Sequence, residues 1–128
     1  MTLIMWLAAI IAGAVHVLIF CMESLLWTTP QVRARFRQSP EQAEATKLFA
    51  LNQGFYNLFL ALGTFAGLAL VLTGHPRVGW ALVYWNCLFM VGAAAVLAAS
   101  APQLRRGAVI QGAAPLLLLV LAAFRGVA

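Results

Sequence analysis

The chain contains no aspartate, only three glutamates and two cysteines, and charged residues make up 9% of its 128 residues. Without aspartate a Ser-His-Asp triad is excluded. Cys21 and Cys87 both fall inside apolar stretches, where we expect small buried residues rather than a disulfide framework. The sequence has no phosphate-binding glycine loop, no Cys-x-x-Cys pair and no His-Glu-x-x-His motif. It therefore predicts neither a metal site nor a cofactor.

Apolar residues are what the chain has in abundance, at 64% of the total. Soluble domains carry about 25% charged residues, and one small core could not bury this much apolar surface. The expected partner is therefore the lipid bilayer. The formal net charge of +5 comes from cations that lie between apolar runs or at the end of one. This placement is typical of topology determinants, so we expect no nucleic-acid partner.

Four apolar runs are long enough to cross a bilayer, which takes roughly 17–25 helical residues. They cover about residues 3–27, 48–72, 78–99 and 108–124. Their short connections predict an all-α integral membrane protein, an antiparallel four-transmembrane-helix bundle that forms a single domain over residues 1–128. Ser39-Pro40-Glu41-Gln42 is typical of a helix start, so the second helix should begin before the membrane.

The distribution of cations between the two sides predicts the orientation. Six lie in the first and third connections, and two lie on the opposite side. Because positive loops stay in the cytoplasm, both termini should face outward from a multi-pass protein of the cell inner membrane. The six are Arg33, Arg35, Arg37, Lys47, Arg105 and Arg106, and the two are Arg77 and Arg125.

His16 and Glu23 are ionisable residues inside the first apolar run. Seven residues separate them, so they differ by about 20° around a helix and by about 10 Å along it. Such residues usually face a bundle interior or a wet cavity, because a charge in lipid is costly. The alternatives are that Glu23 reaches the headgroup region and that His16 bonds a neighbouring helix.

The second run begins with polar side chains at Asn52, Gln53, Tyr56 and Asn57, which share one arc of a helical wheel. In an antiparallel pair they would lie at the depth of Glu23. We therefore predict one polar pocket in the cytoplasmic half, with these four residues binding a substrate.

Gly63 and Gly67 continue the same arc deeper in the second run. Their spacing allows a second helix to approach closely. Packing within the bundle is the simpler interpretation, and a homo-oligomer contact is the alternative.

Two segments of the first half carry a family resemblance. The pattern His16…Glu23…Leu26-Trp27-Thr28-Thr29-Pro30…Phe36, followed by Asn52-Gln53-Gly54-Phe55-Tyr56-Asn57, resembles small bacterial membrane proteins catalogued as domain of unknown function 1304. The similarity extends over nearly the whole chain. It implies four membrane spans and brings no established reaction, ligand or cofactor.

Three functions remain open from the residues alone. The leading hypothesis is an intramembrane enzyme or binding protein for a small apolar molecule with a polar group. Glu23 and His16 would act as its acid and base, in isomerisation or epoxide opening. The alternatives are a proton-coupled small-molecule exporter and a structural or accessory membrane subunit.

Overall fold

The computed structural model describes residues 2–127, with side chains up to Arg125, and this part of the chain forms five α-helices. Four segments are long and apolar enough to cross a membrane: Thr2–Leu25, Pro40–Leu72, Pro76–Ser100 and Pro102–Arg125. The predicted all-α class with four membrane-capable helices is confirmed. The helices are α1 (Thr2–Phe20, continued by a π-helical turn, Cys21–Leu25), α2 (Pro30–Phe36), α3 (Pro40–Leu72), α4 (Pro76–Ser100) and α5 (Arg105–Val127, preceded by a 3₁₀ turn, Pro102–Leu104).

The start of α3 lies where the sequence predicts it. The backbone N–H of Gln42 donates to Oγ of Ser39 at 3.1 Å, and the Ser39 N–H donates to Oε1 of Gln42 at 2.9 Å. Pro40 occupies the first turn, where its missing N–H is not needed. This reciprocal cap satisfies two backbone donors before the helix reaches its apolar part.

Helix α2 is not predicted by the residue pattern. Thr29 precedes it in extended conformation, and Pro30 begins it. Its seven residues are too few for an isolated helix to be stable. Tertiary packing stabilises it instead, because Val32 is buried and the ring centroids of Phe36 and Trp27 are 4.8 Å apart.

Helices α3 and α4 approach closely through glycine. A methyl group added to Gly67 would lie 2.7 Å from Cγ2 of Val83 and 2.8 Å from the Gly79 carbonyl oxygen. A methyl group on Gly63 would lie 2.8 Å from Nδ2 of Asn86. The face formed by Gly63 and Gly67 is therefore occupied within one chain. The homo-oligomer contact that was the alternative at these glycines stays a prediction.

Helix α1 packs between α3 and α5, while α4 packs on the other side of the same two helices. Ala8 and Ala9 of α1 belong to a buried cluster with Leu68 of α3, Val83 and Cys87 of α4, and Leu118 of α5. Small residues at the helix contacts let the backbones approach, which is typical of membrane bundles. Large apolar side chains such as Leu3 and Phe124 remain on the outside, as expected of a lipid-facing surface.

Most of the cationic residues lie at one end of the bundle. The end of α1 lies against the early part of α3 at Ser24 and Gly54, and the late part of α3 lies against the start of α4 at Gly67 and Gly79. The start of α3 is thus level with the end of α4 and with the start of α5. We call this the basic end, defined by Arg33, Arg35, Arg37, Lys47, Arg105 and Arg106.

Candidate functional site

Glu23 lies on the π-helical turn that ends the first membrane-capable segment. The backbone N–H of Leu26 donates to the carbonyl of Cys21 at 3.0 Å, five residues earlier rather than four. Such insertions widen a helix locally and are frequent at functional sites. The turn leaves Glu23 only 7% exposed, so its carboxyl group faces protein rather than lipid or bulk water.

Asn57 of α3 holds one oxygen of this carboxyl group. Its Nδ2 donates to Oε2 of Glu23 at 2.9 Å, and the same nitrogen donates to the Gln53 carbonyl at 3.1 Å. The second bond is to a carbonyl one turn earlier on α3, so it orients the amide toward Glu23. The acid of the first segment and one amide of the second therefore meet inside the bundle.

Gly54 permits this meeting. It is buried against the π-helical turn, and an added methyl group would collide with Oγ of Ser24 and lie 3.1 Å from Cβ of Glu23. The Ser24 hydroxyl donates to the Leu51 carbonyl at 2.8 Å and ties the turn to α3. Glycine at this position is thus a packing requirement of the site.

A cavity of about 390 Å³ opens beside Glu23 at the basic end. Its walls combine apolar side chains with a charged rim, where Lys47 Nζ lies 3.9 Å from a carboxylate oxygen of Glu44. The Trp27 indole N–H, which donates to the Ala43 carbonyl at 3.1 Å, fixes one wall. The lining residues are Glu23, Ser24, Leu25, Trp27, Thr28, Glu44, Lys47, Leu48 and Leu51. We call it the Glu23 cavity.

His16 occupies a different environment from Glu23. It is completely buried, its Nδ1 donates to the Ala12 carbonyl of its own helix at 2.9 Å, and it does not line the Glu23 cavity. Its Nε2 is buried and has no hydrogen-bond partner among the described residues. An unpaired buried nitrogen is unfavourable, so the stability of a His16 variant tests whether Nε2 has a partner.

We expect His16→Leu to keep or raise the stability of the protein, because it removes an unpaired buried acceptor whose desolvation costs about 1–3 kcal/mol. The measurement is the thermal unfolding midpoint of the purified protein in mild detergent. A marked decrease would show that Nε2 has a bonding partner in the folded protein and would contradict the expectation.

The other residues predicted for the pocket lie elsewhere. Asn52 and Gln53 are exposed, and Nδ2 of Asn52 donates to the Leu48 carbonyl on its own helix at 2.8 Å. Tyr56 is 69% exposed and lines a separate cavity with Asn86. The structure brings together Glu23 and Asn57. The other residues of the predicted polar arc of α3 lie on the outer surface or at the contact between α3 and α4.

The Glu23 cavity is also lined by Trp27, Ser24 and Lys47, for which the residue pattern predicts no binding role. Gly54, in the middle of the polar run, is a signal that could have indicated a close contact. The residues of the first segment that Gly54 contacts depend on the π-helical turn. No residue pattern in that segment predicts this turn.

The fold and the site define a class: an all-α membrane protein with four membrane-capable helices and a buried acid beside an open cavity. The family follows from a family model. "Protein of unknown function (DUF1304)" matches residues 10–123, and the chain belongs to this family, as the resemblance suggested. No curated protein and no solved structure matches the chain.

Proposed function

We propose that the protein binds a membrane-soluble amphipathic molecule in the Glu23 cavity and exchanges a proton between Glu23 and the polar group of that molecule. The single observation that carries the proposal is the buried carboxyl group of Glu23 on the wall of a cavity, with one oxygen held by Asn57. A buried ionisable group in a membrane segment is costly to maintain, so a functional role is its ordinary explanation.

The composition of the cavity indicates the kind of molecule. Leu25, Leu48 and Leu51 offer apolar walls, and Lys47 with Glu44 forms a polar rim. Asn57 donates one hydrogen bond to Oε2, so Oε1 and the second lone pair of Oε2 can accept further hydrogen bonds. A hydroxyl or an amine on an apolar chain matches this arrangement, with the chain against the leucines and the donor toward Glu23.

Two reactions of an amphipathic molecule in this cavity need only one carboxyl group, which donates when protonated and accepts when ionised. In isomerisation, ionised Glu23 takes a proton from one carbon and returns it to another, while the electron pair moves within the substrate. In epoxide opening, protonated Glu23 gives its proton to the epoxide oxygen as the carbon–oxygen bond breaks. Water then adds to the carbon and its proton returns to Glu23. Neither step is assigned to His16, because His16 does not line the cavity.

Native mass spectrometry in mild detergent tests the binding step. Dodecanol and dodecylamine should both associate with the protein, whereas dodecane, which has no donor, should not. Glu23→Gln removes the charge at nearly constant volume and should weaken dodecylamine binding about tenfold, as expected from losing a charge-assisted hydrogen bond.

The matched control is Glu41→Gln, since Glu41 is an exposed residue in the first turn of α3 and lines neither cavity. It should leave binding unchanged. Equal binding of dodecylamine by the wild type and Glu23→Gln would overturn the proposal. If the wild type and Glu41→Gln convert 1,2-epoxydodecane to the diol and Glu23→Gln does not, this result would support the proton-transfer step.

A further inference from the structure

A second cavity, of about 280 Å³, lies between α3 and α4 and shares no residue with the Glu23 cavity. It is lined by Tyr56, Phe59, Leu60, Asn86 and Phe89. We call it the Asn86 cavity. The three aromatic residues in it are each more than half exposed on the outside of the bundle. The cavity therefore opens sideways, toward the lipid, rather than toward either end of the bundle.

Asn86 is the polar group at the wall of this cavity. It is 8% exposed, and its one hydrogen bond to the described residues runs from Nδ2 to the Leu82 carbonyl of its own helix at 2.8 Å. Gly63 makes room for the amide, since a methyl group there would lie 3.0 Å from Oδ1. An amide has two donor hydrogens and two acceptor lone pairs, so Asn86 keeps bonding capacity within an apolar segment.

Tyr56 supplies a second polar group nearer the basic end. It precedes Gly63 by seven residues, which is about 10 Å along α3. The lining therefore extends along α3 from Tyr56 to the level of Asn86, and Phe59 and Phe89 contribute aromatic rings to it. None of its lining residues is charged, in contrast to the Glu23 cavity.

We propose that the Asn86 cavity binds, from the lipid phase, a neutral planar ring compound that carries carbonyl oxygens. Aromatic walls favour a flat ring through stacked or edge-on contacts. The Tyr56 hydroxyl and the second Nδ2 hydrogen of Asn86 are donors, and carbonyl oxygens accept from both. The volume lies near the lower limit of ordinary ligand pockets, so a one- or two-ring head fits while any apolar tail stays in the lipid.

This site is independent of the proposed function at Glu23. The two cavities lie on different faces of α3, one against the end of the first segment and the other against α4. The carboxyl group of Glu23 accepts hydrogen bonds, so its ligand carries a donor group on a flexible chain. The Asn86 amide and the Tyr56 phenol donate hydrogen bonds, so their ligand carries an acceptor group on a rigid ring. The two ligands therefore differ in chemistry.

Benzophenone is a suitable probe, because it is a lipid-soluble ketone with two flat aromatic rings whose carbonyl, when excited by near-ultraviolet light, removes a hydrogen from a nearby C–H bond. The two radicals then combine, so the adduct marks the position at which the ketone was bound. Proteoliposomes of the full chain are equilibrated with benzophenone and irradiated, and the adducts are mapped by mass spectrometry. We expect labelling concentrated on residues 56–60 and 86–89.

Two variants decide the outcome. Asn86→Leu replaces the amide with an apolar side chain of the same number of heavy atoms, and Leu60→Trp fills the cavity while leaving Asn86 in place. Each should reduce labelling in these two segments about fivefold or more. Thr73→Val, a hydroxyl deletion at an exposed residue outside both cavities, should not change it.

Labelling spread evenly over lipid-facing residues such as Val120, or unaffected by both cavity variants, would overturn the proposal. Glu23→Gln should leave this labelling unchanged, whether or not it weakens dodecylamine binding. Failure of one site is thereby distinguishable from failure of the other.

Discussion

Gly54→Ala is expected to lower the free energy of unfolding by about 1–3 kcal/mol, the range typical of an added methyl group in a packed interior. The new Cβ would collide with Oγ of Ser24 and lie 3.0 Å from the Ser24 backbone nitrogen. A side chain could rotate away, but the backbone of the π-helical turn cannot do so without displacing Glu23. We therefore expect the same variant to lose dodecylamine binding.

The measurement is reversible unfolding of the purified protein in mixed micelles, followed by circular dichroism. Gly92→Ala is the matched control, since Gly92 lies within α4 and a methyl group there meets nothing within 4 Å. It should be neutral or stabilise by up to about 1 kcal/mol, because glycine is a poor helix former. Similar losses in both variants would contradict the assigned role of Gly54.

The second large effect on stability is expected at the hydrogen bond between Asn57 and Glu23. Asn57→Leu removes the donor to a buried carboxyl group, and leaving such a group unpaired costs about 1–3 kcal/mol or more. Glu23→Leu removes the carboxyl group instead and leaves the amide its bond to the Gln53 carbonyl. The double variant should be more stable than the sum of the two single effects predicts.

A double-mutant cycle measures this coupling directly. Asn52→Leu is the control, because Asn52 is an exposed amide that bonds only the Leu48 carbonyl of its own helix among the described residues. It should change stability by no more than about 0.5 kcal/mol. A coupling free energy near zero between positions 23 and 57 would show that the 2.9 Å contact does not stabilise the fold.

The helices were largely predictable because each depends on neighbouring residues in the chain. Apolar length alone indicates the four membrane-capable segments, and the Ser39–Gln42 pattern predicts where α3 begins. Helix α2 was missed for the opposite reason. Its stability depends on the contact between Phe36 and Trp27, which the arginine-rich sequence around it does not indicate.

The site was predictable only in its coarse features. The order of the helices indicated that Glu23 and the amides of α3 lie at similar depth, and Asn57 is indeed bonded to Glu23. A wheel with a regular repeat placed Tyr56 and Asn57 on one arc. The packing of α3 between two neighbours instead directs Asn57 toward the first segment and Tyr56 toward the Asn86 cavity.

The sequence by itself determined that this is a membrane protein of four apolar helices with an acid in the first, because hydrophobicity and helix length are properties of consecutive residues. Only the tertiary structure decided which polar groups meet. The π-helical turn at Cys21–Leu25 changes the direction of Glu23, and Gly54 and Gly63 set how closely the helices approach. Those contacts join residues far apart in the chain, and their geometry follows from packing in three dimensions.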